Sequence, residues 1–176
     1  ETILPSMVGR SFESPAAVEK LLSPWRGNRM ALATVEMAFW DLWAKWLDVP
    51  LKTLIGGSGD AVDVGVSLGI GPIDGTLARV ESHVAQGYRR IKLKIMPGHD
   101  IELLEAVRQA FPNIRLSVDA NSAYRLSDWA VLGRLDDFRL EYVEQPLAHD
   151  DIADHATLQS HLRTPICLDE SIRSVG

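Results

Sequence analysis

Ile91-Lys92-Leu93-Lys94 opens the stretch that decides the fold. Val118-Asp119-Ala120-Asn121, Val143-Glu144-Gln145-Pro146 and Leu168-Asp169-Glu170-Ser171 follow it at a constant interval. Lys94, Asp119, Glu144 and Asp169 each stand 25 residues after the one before. Each closes an apolar segment just ahead of a turn into a helical pattern. That interval suits one strand, one helix and two short loops, so the segments read as equivalent βα units. Equivalent units carry their charged residues out of successive parallel strands at one height and on one side. In a (β/α)₈ barrel that position is the C-terminal mouth, where active sites are built.

Outward from these units the strand–helix alternation continues. Strands are expected over 62–70, 90–95, 115–120, 141–145 and 165–170. Helices are expected over 76–86, 100–110, 127–135 and 150–161, with Asp100 as a cap. The texture before residue 60 is different. Ser14-Pro15 is a cap followed by a first-turn proline, opening a helix through Leu22. Asn28 is expected to cap a long helix over 29–47, whose Leu32, Val35, Met37, Phe39, Trp40, Trp43 and Leu47 form a wide apolar surface. Such a helix is expected to lie buried against another layer, with Trp40, Trp43 and Trp46 as core rather than a stacking platform. Pro50 and Gly56-Gly57-Ser58-Gly59 mark a boundary near 60. Two regions follow, 1–60 and 61–176.

Composition limits the partners. The 176 residues hold 18 Lys+Arg and 24 Asp+Glu, a net charge of −6, with 46% hydrophobic and 24% charged residues. These are the proportions of a soluble globular protein. An acidic chain without a basic run argues against nucleic acid and against an anionic membrane surface. No apolar stretch approaches the ~20 residues that span a bilayer. Glu1-Thr2-Ile3 offers neither a basic start nor an apolar run, so no signal peptide is expected. The lone Cys167 excludes an internal disulfide and fits a reducing, cytoplasmic setting. The start without Met and the ending Ser174-Val175-Gly176 read as cuts in a longer protein.

The residue types at the mouth suggest a chemistry. Three carboxylates converging from neighbouring strands repel one another unless a cation lies between them. Oxygen-only ligands select a hard divalent ion: Mg²⁺, with Mn²⁺ or another divalent cation as the alternative. Such an ion binds a substrate carboxylate and stabilises the enolate formed when the adjacent carbon loses its proton. Lys92 and Lys94 face the same way on one strand. A second ammonium and a metal nearby disfavour the charged form of Lys94 and make it usable as a base. Asn121 shares the face of Asp119 and can hold a ligand or water.

The four stretches, with Ser122-Ala123-Tyr124 and Pro146-Leu147, resemble the enolase superfamily. Within it they are most similar to the o-succinylbenzoate synthase / N-acylamino acid (N-succinylamino acid) racemase group. The helix from Met30 to Asp41 and the segment Val66-Ser67-Leu68-Gly69-Ile70 are similar as well. The resemblance implies an α/β fold: the first five strands of a (β/α)₇β barrel, preceded by helices ending an α+β capping domain. It implies Mg²⁺ held by Asp119, Glu144 and Asp169, Lys94 as an acid/base group with Lys92 beside it, and Ser67 lining the substrate pocket. Tyr124 is expected as a pocket wall. The substrate is then a small-molecule carboxylate, either dehydrated to o-succinylbenzoate, a menaquinone precursor, or racemised as an N-acyl amino acid. Another step of the period points to position 194, where the family carries a second catalytic lysine. The 176-residue chain alone is therefore expected to turn over weakly or not at all. Exposed sheet edges and the family resemblance lean toward a homo-oligomer.

Other readings stay open. A muconate cycloisomerase-like enzyme or a dipeptide epimerase shares the lysine pair and the carboxylates. An aldolase barrel would use Lys94 as a Schiff-base nucleophile, and a fragment could act only by associating. His83, His99, His149, His155 and His161 show no zinc-like spacing, and His99 and His149 rank as surface residues. Cys167 has the parity of Asp169 and points inward. Gly69-Ile70-Gly71 and Gly56-Gly57 lack the context of a phosphate loop.

Overall fold

The structure, a computed structural model, describes residues 3–173. Glu1-Thr2 and the ending Ser174-Val175-Gly176 lie outside them. The chain forms two compact units, divided between Val62 and Asp63.

In the second unit, five strands form one sheet in the order β1-β2-β3-β4-β5, every neighbouring pair parallel. The strands are β1 (Val66–Leu68), β2 (Arg90–Lys94), β3 (Arg115–Asp119), β4 (Val143–Glu144) and β5 (Ile166–Cys167). Parallel neighbours need crossovers. These contain α5 (Ile73–Ala85), α6 (Ile101–Ala110), α7 (Trp129–Arg134) and α8 (Ile152–His161), numbered after the four helices of the first unit. The alternation expected from the sequence is therefore present, with shorter strands. Only the paired residues count as strand, and the segments run on into the turns beyond.

The segment expected as a helix over 127–135 is a composite. A single 3₁₀ turn, Leu126–Asp128, leads into α7, and a second, Leu135–Phe138, follows it. Arg139, with φ of +49°, then reverses the chain toward β4. Asp100 caps α6 as expected, its carboxylate accepting from the Ile101 N–H at 2.6 Å. The sheet has two unlike faces. Ile91, Leu93, Ile95, Leu116, Val118 and Val143 join Val80, Leu104, Val107, Leu132 and Leu158 of the helices in one buried cluster. Burial of this face drives the unit together, and period-two alternation leaves Lys92, Lys94, Ser117, Asp119 and Glu144 on the other face.

The first unit is helical: α1 (Ile3–Met7), α2 (Pro15–Leu22), α3 (Arg29–Trp46) and α4 (Leu51–Leu54). Met7, Val18 and Leu22 form its core, flanked by Leu32, Val35 and Phe39. Two expectations change here. Asn28 makes no side-chain cap; it sits at φ +46° after Gly27 at +79°, and this left-handed pair makes the bend into α3. Nor is α3 buried all round. Ala44 is its one buried residue, while Met37 and Trp46 are each 69% exposed. The side bearing Leu32, Val35 and Phe39 packs on the Met7, Val18 and Leu22 core. Among the described residues, no helix is long and apolar enough to cross a membrane.

Candidate active site

Strand register builds the site. Lys94 pairs with Asp119 and Asp119 with Glu144, so three of the four periodic residues stand in one row across β2, β3 and β4. The row one pleat below holds Ser67, Lys92 and Ser117. The fourth periodic residue departs from the expectation of equal height. Glu144 pairs with Cys167, so Asp169 lies two residues past the row, beyond the end of β5 and exposed. The crossover through α8 is two residues tighter than the others. Asp136 holds the β5 approach there, accepting from the N–H groups of Arg163 at 2.9 Å and Thr164 at 2.7 Å.

The side chains of the two rows interlock. Lys92 Nζ donates to both carboxylate oxygens of Glu144, at 2.8 and 2.9 Å, and lies 3.3 Å from Asp119 Oδ2. Lys94 Nζ donates to Asp119 Oδ2 at 2.8 Å and to Asn121 Oδ1. Asn121 in turn donates its N–H to Asp119 Oδ1 at 3.0 Å and its amide to Glu170 Oε1 at 3.0 Å. Asp119 is 2% exposed and Glu144 7%. Two carboxylates so nearly removed from water need countercharge, and the two ammonium groups supply it.

The electrostatics follow from these contacts. Burial pushes the Asp119 carboxyl upward, but the Lys94 hydrogen bond, the Asn121 N–H and both lysine charges outweigh it, and the group is held below the usual range. Burial draws Lys92 down, while its bonds and proximity to Glu144 and Asp119 raise it above the ordinary lysine value. Burial, then the Glu144 and Asp169 charges, push the Cys167 thiol up, which disfavours the reactive thiolate.

The backbone is strained where it leaves the row. Asn121 at φ +42°, Ser122 at +63° and Gln145 at +39° adopt left-handed conformations directly after Asp119 and Glu144. Such residues cost energy and gather where the surrounding structure holds functional groups in place.

The site residues expected from sequence are thus distributed unevenly. Lys92, Lys94, Asp119, Glu144 and Asn121 are brought together. Ser67 stands opposite Lys92 on β1. Tyr124, expected as a pocket wall, is 3% exposed and donates its hydroxyl to Asp100 Oδ2 at 2.9 Å, tying the loop after β3 to the start of α6. Its ring joins the buried cluster between the sheet and the helices. Glu170 joins the site through Asn121, and adjacency to Asp169 is its one signal in the sequence. Gln145, which no local pattern singles out, bonds the 169–171 turn, and His155 accepts from the Leu147 N–H.

The donor set suits a hard divalent cation. Lys92 Nζ, a cation, lies within hydrogen-bond or ion-pair distance of both Glu144 and Asp119 and so stands where a shared positive charge is accepted. The described residues gather no group of three metal-ligating side chains, and Asp169 lies exposed beyond the end of β5.

Comparison with known proteins gives the family of the chain. Residues 75–176 match the "Enolase C-terminal domain-like" family model, and residues 2–56 match "Mandelate racemase / muconate lactonizing enzyme, N-terminal domain". The chain is 58% identical over 173 residues to N-succinylamino acid racemase of Thermus thermophilus, covering 98% of this chain and 47% of that protein. It is 51% identical over 172 residues to o-succinylbenzoate synthase of Bacillus subtilis, covering 98% and 46%. The chain therefore spans about half the length of these relatives. A crystal structure of an enolase superfamily member from Listeria innocua superposes with a TM-score of 0.85 at 45% identity, over 99% of this chain and 47% of that one. The substrate-liganded L-Ala-D/L-Glu epimerase of Bacillus subtilis gives 0.85 at 28% identity, over 97% and 50%. With both family models matched along the chain and the lysine and carboxylate row in register, this chain belongs to the enolase superfamily.

Proposed function

We propose that this chain carries the lysine pair and the metal-holding carboxylates of an enzyme that removes the proton next to a substrate carboxylate. The reaction class is that of the o-succinylbenzoate synthases and N-succinylamino acid racemases it resembles, either a dehydration or a racemisation. The observation that carries this reading is the register row Lys94–Asp119–Glu144 with Lys92 beneath it. Mg²⁺ held by Asp119, Glu144 and Asp169 would supply positive charge against the negative charge that develops on the substrate carboxylate as the proton leaves.

The protein's own groups do the rest. Lys94 is the acid/base group, taking or returning the proton at Nζ. Asn121 accepts from Nζ and anchors to Glu170, holding the ammonium at the mouth. Lys92 supplies the countercharge that Glu144 and Asp119 need out of water. Ser67, on the strand beside Lys92, offers a hydroxyl to the acyl end of the substrate. A soluble cytoplasmic homo-oligomer acting on an N-succinyl amino acid, or on the cyclohexadiene carboxylate that yields the menaquinone precursor, is the fuller form of this reading.

The test is α-proton exchange of an N-succinyl amino acid in D₂O, followed by ¹H NMR on the intact natural protein. Lys94→Ala should lower exchange by at least ~100-fold, and EDTA should abolish it. Activity that persists in EDTA, with Lys94 trapped by borohydride, would replace this reading with Schiff-base chemistry.

A further inference from the structure

Asp169 is the one proposed metal ligand that no strand pairing holds. Strand β5 ends at Cys167, and the backbone N–H groups beyond it need other partners. One side chain provides for two of them. Gln145 Oε1 accepts from the Asp169 N–H at 2.9 Å and from the Ser171 N–H at 3.2 Å. Its amide nitrogen donates to Ser171 Oγ at 2.8 Å and to the Leu147 carbonyl at 3.2 Å. Gln145 is 0% exposed and sits at φ +39°, so a strained backbone carries a polar side chain with no access to water. Strain and complete burial of an amide persist only where every hydrogen bond is made.

A second buried residue backs it. His155 of α8 is 3% exposed. Its Nδ1 lies 2.6 Å from the Asp151 carbonyl, which assigns the proton to that nitrogen and leaves Nε2 as an acceptor. Nε2 accepts from the Leu147 N–H at 3.2 Å and lies 3.4 Å from Gln145 Nε2. The loop after β4, the helix α8 and the 169–171 turn are thereby joined through one amide. Glu144, adjacent in sequence, reaches Lys92, so a single dipeptide fixes one carboxylate directly and another through the backbone.

We infer that Gln145, supported by His155, is a positioning residue that sets the height of Asp169 relative to Glu144 and Asp119 and thereby governs divalent-metal affinity. This inference rests on the proposed role of Asp169 as a metal ligand. Groups that orient ligands in this way typically change metal affinity by about 10–100-fold when removed.

The test is Mn²⁺ binding to the intact natural protein, read by electron paramagnetic resonance, with melting temperature and amide hydrogen exchange over 166–172 measured alongside. Asp169→Asn tests the underlying assignment and should weaken Mn²⁺ by more than ~10-fold. Gln145→Ala should weaken it by about 10-fold and release the protection of the Asp169 and Ser171 amides. Asp136→Ala loosens the entry to β5 without touching the 169–171 turn. It should lower the melting temperature and leave Mn²⁺ binding unchanged. Where Gln145→Ala does not fold, Ser171→Ala removes a single bond and should weaken Mn²⁺ by a few-fold. Unchanged Mn²⁺ affinity in Gln145→Ala or Ser171→Ala, beside a loss in Asp169→Asn, overturns the inference alone. Unchanged affinity in Asp169→Asn overturns the ligand assignment and the inference with it.

Discussion

Lys92 and Glu144 stand 52 positions apart in the chain and meet through two hydrogen bonds, at 2.8 and 2.9 Å, across the intervening strand β3. A carboxylate 9% exposed at its side chain and an ammonium 26% exposed cannot both be removed from water without each other. The pair is therefore an obligate unit, and its response to substitution differs from that of a surface ion pair.

Lys92→Met leaves Glu144 buried with less countercharge and should destabilise the protein by about 3 kcal/mol, the low end for a buried pair because Lys92 keeps some exposure. Adding Glu144→Gln should recover part of that loss. Urea unfolding of the two single variants and the double variant measures the coupling. Additive losses would mean that the two side chains do not depend on each other.

Asn121 lies at φ +42° and links Lys94 to Glu170, so backbone preference and hydrogen bonding are combined in one residue. Asn121→Gly keeps the left-handed turn at little steric cost and removes the bonds. Proton-exchange turnover should fall on the order of 10-fold with KM little changed, because Lys94 loses its orientation. A rate equal to the parent's would remove Asn121 from the site.

Tyr124→Phe should cost about 1–3 kcal/mol, since Asp100 Oδ2 loses its partner in a buried setting. KM for substrate should not move. Burial, and then the Asp100 carboxylate, hold the phenol protonated well past its ordinary value of 10.0. The raised value means that this contribution is complete below pH 10 and is lost as pH rises above it. Differential scanning calorimetry together with steady-state kinetics separates the two roles. A raised KM with an unchanged melting temperature would return Tyr124 to the substrate pocket.

Asp136 gives the acid limb. Burial raises its carboxyl, but the Arg163 and Thr164 N–H groups and the Arg163 charge hold it below its ordinary 3.8. A lowered value means that the stabilisation is present above pH 3.8 and is lost as pH falls through the lower, folded value. Asp136→Asn should cost about 1.5 kcal/mol at neutral pH, and the gap between variant and parent should narrow as pH falls below 3.8. Urea midpoints taken across pH 2.5–7 (an experimental range of roughly five units) follow the closure. A gap independent of pH would show that the charge plays no part.

Much of this was readable from residue types and spacing. The 25-residue interval predicted that Lys94, Asp119 and Glu144 would leave neighbouring parallel strands together, and they do, because each crossover before them has the same length. The alternation Ile91-Lys92-Leu93-Lys94 predicted one face of the strand for the helices and one for the site, since successive side chains point opposite ways. The same spacing was misleading at Asp169. Sequence counts residues, whereas height on a sheet depends on which residues exchange hydrogen bonds, and the α8 crossover is two residues tighter.

What the sequence by itself determined is the periodic, local part: strand–helix alternation, the apolar face, the Asp100 cap and the residue types of the row. What only the tertiary structure decided is pairing between distant side chains. Whether Lys92 meets Glu144, whether Tyr124 turns to Asp100 or to the mouth, and whether Gln145 reaches under Asp169 depend on segments brought together by packing. A buried polar group takes whichever partner the fold places within ~3 Å, and no local pattern of residues specifies that distance.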